Sequence, residues 1–471
     1  MREAGTGGGR AADDGRAANE GSGPVRAERA APGVWLTLVG VGEDGVEGLS
    51  AAARAAVAQA SLVVGGARHL ALVGALVRGE AMAWPQPMAD GYPAILARRG
   101  AAVAVLASGD PFWFGVGGAL ARLVPRGEMR CLPGVSAISL ACARLGWSVQ
   151  EAGVVSLCGR PVATLRPWLR PGARLVVLSA GADTPREVAG ALAAHGFAAS
   201  VLHVMEALGG ARERVRSVGA RGFALDDVGA LNLVAVDVAV QVGADGRGGG
   251  DVEGREVGRE ARQAGGGWPS DTSMVSGGAD LAPGLPLTPG LPDAMFEHDG
   301  QITKSEIRAA TLAALAPRRG ETLWDVGCGS GSVAIEWMLR DPAMRAVAVD
   351  VRADRAARAA RNAEALGVPG LEVRVGAAPG ALRGLARPDA VFLGGGAAGE
   401  GVVEAAWAAL PPGGRLVANS VTVETDAVLL RARAALGGTM VRIGVERLDR
   451  IGGMHGFRPA MSVTQLVAVK R

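Results

Sequence analysis

Lysine is almost missing from this chain: Lys304 and Lys470 are the two it has, so arginine carries nearly all the positive charge. With abundant alanine and glycine, that bias is the mark of GC-rich coding. The formal net charge is only +3. Following nucleic-acid phosphates requires a concentrated basic face, so no nucleic-acid partner is expected. Cysteine is scarce as well. Cys131, Cys142, Cys158 and Cys328 form no C-x-x-C pair, and the five histidines do not cluster beside them. A zinc site and a disulfide framework are both disfavoured; no metal is expected, and a reduced, cytoplasmic compartment fits best. No apolar run reaches the ~18 residues of a membrane helix. Residues 1–33 are rich in Gly, Ala, Arg and Asp and lack an apolar signal core. They read as a disordered tail rather than a targeting peptide.

What the chain does have is apolar material, 49% of 471 residues, enough for two or three domains. The composition shifts near residue 243. From 243 to 286 the sequence is Gly-rich, charged and of low complexity, and it buries too little to offset its ordering entropy. It reads as a flexible linker between 34–242 and 287–471. Both halves alternate strand-like and helix-like stretches. In the second half the strands are "TLWDV", "AVAVDV", "LEVRV", "AVFLGG", "RLVANS" and "SVTQLVAVK"; in the first they include "LTLVGVG", "AVAVLASG", "VVSLCG", "RLVVLS" and "LNLVAVDV". That order predicts parallel, doubly wound α/β sheets, whose ligands sit at the carboxyl ends of the strands.

"ETLWDVGCGSGSVAIEW", residues 321–337, is such a strand end. Gly327, Gly329 and Gly331 let backbone approach a ligand, and a helix start follows with free N–H groups. The register is G-x-G-x-G, with Ser332 where a dinucleotide fingerprint needs its third glycine. Asp325 ends the strand where a pyrophosphate would be repelled and a cationic ammonium welcomed. Asp350 ends the next strand, near the offset of about 20 residues at which a carboxylate can hold ribose hydroxyls. A lone glycine loop is as readily a ligand-free turn, but the two acids together describe S-adenosylmethionine.

On these residues the second half resembles a class I methyltransferase, and "LPPGGRLV" (410–417) resembles the turn before that family's fifth strand. "GLPDAMFEHDGQITKSEIRAATLAAL" (290–315) resembles the entry segment of the decarboxylating precorrin methyltransferases of cobalamin biosynthesis. The resemblance implies donor contacts from Thr303 and from the loop Gly327, Cys328, Gly329, Ser330 and Gly331. Thr303-x-x-Glu306 also reads as a capping box. The family's contact after strand three falls on "GAAPGAL" (376–382), where relatives often carry an acid and this chain has Ala377 and Ala378. A contact at Ala378 would therefore be made by backbone.

In the first half, "LVGVGEDGVEGLSAAA" gains meaning from "LVVGGARHL" (62–70), "VLASGDPFWFGVGG" (105–118), "CLPGVSAISLACARLGWS" (131–148) and "VMEALGGARERVRSVG" (204–219). Together they resemble the tetrapyrrole methylase superfamily, a two-lobed class III methyltransferase fold. That resemblance places Gly109, Asp110 and Ser136 at a donor pocket and the loop near Gly40 and Gly42 toward the tetrapyrrole. Asp110-Pro111 is by itself an ordinary turn dipeptide.

A tetrapyrrole methylase followed by a Rossmann-like class I domain resembles the bifunctional precorrin methyltransferases that modify carbons 5 and 15 and remove the acetate carboxylate on carbon 12. The resemblance implies S-adenosylmethionine as methyl donor, a tetrapyrrole substrate and a homo-oligomer. It also assigns carbon 15 and the decarboxylation to the second half, and carbon 5 to the first. The substrate's carboxylates suit arginines, with Arg308, Arg450 and Arg458 as candidates. His455, in "IGGMHGF" (451–457), can move a proton near neutral pH. His455 and Arg458 are the catalytic candidates; Trp337 and Trp407 read as core. A methyltransferase acting on another substrate such as RNA, and a donor-binding sensor without turnover, remain open.

Overall fold

The computed structural model describes residues 33–240 and 283–471. The tail expected over 1–33 and the linker expected over 243–286 lie outside them, apart from Gly33 and 283–286. The chain divides into two compact units between Ser136 and Ala137.

The first unit is built on five strands: β1 (Leu36–Val41), β2 (Leu62–Gly65), β3 (Glu80–Ala83), β4 (Val103–Ser108) and β5 (Met129–Leu132). Their order is β3-β2-β4-β1-β5 and every pair is parallel. β1 is buried along its whole length, as a central parallel strand must be when both faces are covered. Leu36 and Leu38 enter one core, Val39 and Val41 the other. At the carboxyl ends of β1, β4 and β5 the backbones nearly touch. Gly134 N–H donates to the Gly109 carbonyl at 2.9 Å, and Gly109 N–H to the Val41 carbonyl at 3.1 Å. Gly109 has φ +54°, and a Cβ at Gly40 would lie 1.8 Å from the Gly109 oxygen.

The second unit holds two main sheets. The first comprises β6 (Ala152–Ser156), β7 (Arg174–Leu178), β8 (Val201–Glu206), β9 (Arg214–Gly219) and β10 (Asn232–Asp237), in the order β6-β7-β10-β8-β9. Only β6 and β7 are parallel; the other pairs are antiparallel. This corrects the expectation of a parallel sheet there. The link from β8 to its neighbour β9 carries no crossover helix, and a parallel pair needs a crossover.

The second sheet matches the expected doubly wound pattern. It contains β11 (Thr322–Val326), β12 (Arg345–Asp350), β13 (Glu372–Val375), β14 (Ala390–Leu393), β15 (Arg415–Ser420) and β16 (Thr439–Ile443). After a hairpin of β17 (Glu446–Ile451) and β18 (Met454–Pro459), β19 (Val463–Val469) completes it. The order is β13-β12-β11-β14-β15-β19-β16, with β19 antiparallel to both neighbours. Trp337 is fully buried in one of the two cores flanking this sheet, as expected, while Trp407 is half-buried with Lys470 over its ring. The stretch 451–457, which carries His455, lies on the hairpin, whose strands pair with one another.

The segment before β11 is fixed by an arginine. Arg308 lies on the helix Ser305–Leu315 and is 0% exposed. Its Nε donates to Glu336 at 2.6 Å and its Nη1 to Asp293 at 3.1 Å; it also donates to the carbonyls of Thr303 and Leu291. The guanidinium lies 4.7 Å from the centre of the Phe296 ring. Glu336, equally buried, also accepts from the backbone of Gly290 and Leu291 at 2.7 and 2.9 Å. Arg308 is therefore neither a clamp for substrate carboxylates nor a surface charge, which corrects that expectation. The capping box is corrected too. Lys304 occupies the N-cap position and no side chain caps the helix, while the Glu306 carboxylate is taken by Ser305 and Arg447.

Arg308→Leu strands the Glu336 carboxylate in the core, and a urea titration is expected to show a loss of about 3–5 kcal/mol. Gly40→Ala is expected to lower the melting temperature sharply or abolish soluble protein, because its Cβ meets backbone that cannot give way. Gly118→Ala, in the helix Gly117–Leu120 with nothing within 4 Å of its Cβ, is expected to leave melting unchanged or slightly raised.

Candidate functional site

The glycine loop of the second unit joins β11 to the helix Ser332–Met338. Gly327, Gly329 and Gly331 all have positive φ, between +57° and +75°, a region other residues enter only with strain. Space is limiting as well: a Cβ at Gly327 would lie 2.2 Å from the Gly395 carbonyl oxygen, and one at Gly331 2.9 Å from Ala359 Cβ. The N–H groups of Gly327 and Cys328 donate to the Val349 carbonyl at 2.8 and 3.1 Å. The loop is thus strapped to the end of β12. Cys328 is buried, and burial pushes its thiol well above the usual range.

Asp325 is buried at 1% exposure. One oxygen, Oδ2, accepts from Ala334 N–H at 3.0 Å and so caps the following helix from the strand. The other, Oδ1, has no hydrogen-bond partner among the described residues, and neither has the buried Ser330 hydroxyl. An unpaired buried carboxylate oxygen is costly. Burial, with a smaller push from Asp350, raises the Asp325 carboxyl to about 7. Asp350 is also buried. Its two oxygens accept from Gly329 N–H and Arg352 N–H, each at 2.9 Å. The structure therefore shows it shaping the loop, a role the spacing did not suggest.

The structure brings Asp325, Gly327, Cys328, Gly329, Ser330, Gly331 and Asp350 together. Ala378 lies in the loop after β13, whose Gly376 N–H donates to the Asp350 carbonyl at 2.9 Å. Thr303 lies on the entry segment, its carbonyl held by Arg308; nearby, the Gln301 carbonyl would be 3.6 Å from a Cβ on Gly329. His455 and Arg458 are exposed on β18, where Arg458 pairs with Asp449 at 3.1 Å. No hydrogen bond or ion pair among the described residues joins them to the glycine loop. Arg450 is exposed on β17, opposite His455. The hairpin meets the entry segment through Arg447, 2.5 Å from Glu306.

In the first unit Gly109 and Ser136 approach closely: a Cβ on Gly109 would lie 2.7 Å from Ser136 Cα. Asp110 Oδ1 accepts from Phe112 N–H at 2.9 Å, forming the turn its Asp-Pro dipeptide predicts. At the ends of β1, β2 and β4 sits a polar cluster to which the sequence reading gave no role. Arg68 pairs with Glu43 and donates to Ser108 Oγ at 2.9 Å; its Nη2 is 2.8 Å from His69 Nε2. Arginine only donates, so His69 Nε2 accepts and the proton rests on Nδ1. Burial, with Arg68 beside it, lowers the His69 imidazole to about 4, which keeps it neutral. Its position just past a parallel strand end was the available signal.

Two family models match the chain in tandem. The model of the Tetrapyrrole (Corrin/Porphyrin) Methylases matches residues 35–221, and that of the Precorrin methyltransferase domain matches 294–470. A Sinorhizobium sp protein called precorrin-6Y C(5,15)-methyltransferase [decarboxylating] is 50% identical over 431 residues, 92% of this chain and 95% of its own. A protein of the same name from Mycobacterium tuberculosis is 40% identical over 443 residues, 93% of this chain and 100% of its own. Among solved structures, the C-terminal domain of precorrin-6Y C5,15-methyltransferase from Rhodobacter capsulatus is 42% identical. It covers 40% of this chain and 100% of that chain, with a TM-score of 0.38. With identity of this degree running through both halves, the chain belongs to the family of decarboxylating precorrin-6Y C(5,15)-methyltransferases.

Proposed function

We propose that this chain methylates a precorrin macrocycle at carbons 5 and 15 and removes the acetate carboxylate on carbon 12, as a step of cobalamin biosynthesis. The observation that carries the reading is the 50% identity, over 92% of the chain, to a protein of that name. The tandem family matches support two methylating domains. The sequence resemblance supports carbon 15 and decarboxylation for the second half and carbon 5 for the first.

S-adenosylmethionine is the proposed donor at both sites, where it supplies an electrophilic methyl group. The glycine-loop site suits it. Asp325 Oδ1, buried and unpartnered, fits a cationic ammonium, and Ser330 Oγ has a hydrogen bond to give. Asp350 would meet the ribose while holding the loop. In the first half Gly109, Asp110 and Ser136 are the proposed donor residues. At both sites the chain's part is to hold two reactants in register and keep water out. Loss of the carboxylate leaves an electron pair that the conjugated ring accepts. Among the described residues no helix is long and apolar enough to cross a membrane.

The direct test is to incubate the full chain with S-adenosylmethionine and the reduced precorrin and to weigh the pigment. Two methyl groups gained and one carbon dioxide lost are expected. A pigment unchanged while donor still binds would overturn the enzymatic reading and favour a sensor or another acceptor. A second expectation concerns protons. An ammonium prefers Asp325 ionised, so donor binding lowers a carboxyl that otherwise titrates at about 7. Affinity at this site should therefore rise with pH up to about 7 and fall again above about 8, where the donor's α-amino group loses its own proton, and binding near neutral pH should release a proton. Titration calorimetry in buffers of different ionisation enthalpy reads this directly. Asp325→Asn should abolish the proton release and weaken binding.

A further inference from the structure

The entry segment is held against the helix Ala353–Ala365 by two sets of interactions. The outer set consists of ion pairs. Arg361 meets Glu297 at 2.6 Å, and Arg355 and Arg358 each meet Asp299 at 3.1 Å. These side chains retain exposure to solvent, and such pairs contribute little and are screened by salt. The inner set is one side chain. Asn362 is buried on the same helix. Its Oδ1 accepts from Glu297 N–H at 2.8 Å, and its Nδ2 donates to the Glu297 carbonyl at 3.0 Å and to the Ser330 carbonyl at 2.9 Å.

A single buried amide therefore grips the backbone of the entry segment and the backbone of the glycine loop together. Both donors of Asn362 are used, so the two backbones cannot move apart without leaving buried polar groups unpaired. The loop residue it grips is Ser330, whose hydroxyl is one of the two unpartnered buried groups of this site. The entry segment it grips runs on through Gln301, beside Gly329, to Thr303.

We infer that Asn362 is a positioning residue of the second methylation site: it sets the spacing between the Thr303 segment and the glycine loop, and through that spacing the affinity for the methyl donor. The inference rests on the reading that the glycine loop holds S-adenosylmethionine. Asn362 itself touches neither reactant. Its loss should weaken capture of the donor, while turnover recovers once the donor is saturating.

The test is calorimetric titration of the full chain with S-adenosylhomocysteine, with steady-state carbon dioxide release measured in parallel. The wild-type chain is expected to take up two equivalents. Asn362→Ala should weaken one of the two sites about tenfold or more and leave the other unchanged. KM for the donor in carbon dioxide release should rise to match, with kcat at saturating donor within about twofold. Arg361→Ala, which removes only an outer ion pair, should leave both sites within about twofold. If Asn362→Ala does not fold, Asn362→Ser, which keeps a short donor and acceptor, carries the same comparison. Two equivalents bound with unchanged affinity in the Asn362 variant, whatever its melting temperature, would overturn the inference and leave the reading of the site intact. Equal weakening by Arg361→Ala would also overturn it, because the ion pairs would then set the spacing. A wild-type chain that binds one equivalent or none would overturn the two-donor reading and this inference with it.

Discussion

The guanidinium of Arg308 has no water to turn to. A charge taken from solvent must be met on every side, and breaking such an arrangement costs far more than its absence would. Arg308 is met by Glu336, Asp293, two carbonyls and the Phe296 ring. Those partners come from the entry segment and from the helix Ser332–Met338. That helix is the one the glycine loop opens and Asp325 caps. The geometry of the glycine loop is thus referred back, through one helix, to a buried charge pair. A hydrophobic replacement could fill the same space, but it would not dictate where Leu291 and Thr303 place their carbonyls.

The two halves solve a common problem with unrelated sheets. A ligand at the carboxyl edge of parallel strands needs main chain close by, and main chain comes close only where Cβ atoms are missing. In the first unit Gly40, Gly109 and Gly134 let three strand ends converge; in the second, Gly327 and Gly395 let the loops after β11 and β14 do so. Each convergence is rigid, because the atoms that nearly meet are backbone. That rigidity suits methyl transfer, which asks a protein chiefly to hold two reactants at a fixed approach.

Much of this was legible in the residues. The period and order of the strands in 322–420 gave the parallel part of the second sheet nearly to the residue, because central parallel strands are continuous apolar runs. The glycines and the two acids marked a strand-end loop whose members the structure brings together. What failed has a physical reason in each case. Arg308 looks like any surface arginine in sequence, since burial of a charge depends on partners such as Asp293 and Glu336 that lie on other elements and share no local spacing with it. Thr303 and Glu306 have the spacing of a capping box, yet Arg447, from a hairpin some 140 residues on, takes the carboxylate. Strands β16 to β18 are short or exposed and carry no clear alternation, and β9 pairs antiparallel with β8 because the short link between them leaves no room for a crossover. Asn362 sits in an alanine- and arginine-rich helix where nothing local distinguishes it.

The hairpin of β17 and β18 interrupts the sheet in sequence but not in space. β16 and β19 on either side of it pair with one another directly, and the hairpin's strands pair only with themselves. Met454, Phe457, Leu448 and Ile451 lie exposed along it. Such an insertion lies outside the ladder of the seven strands, and its Arg447 meets the entry segment at Glu306. Provided Arg447 is kept, its length and its exposed side chains can be exchanged without disturbing the register of the seven strands, so this one segment could be redesigned to suit a different neighbour.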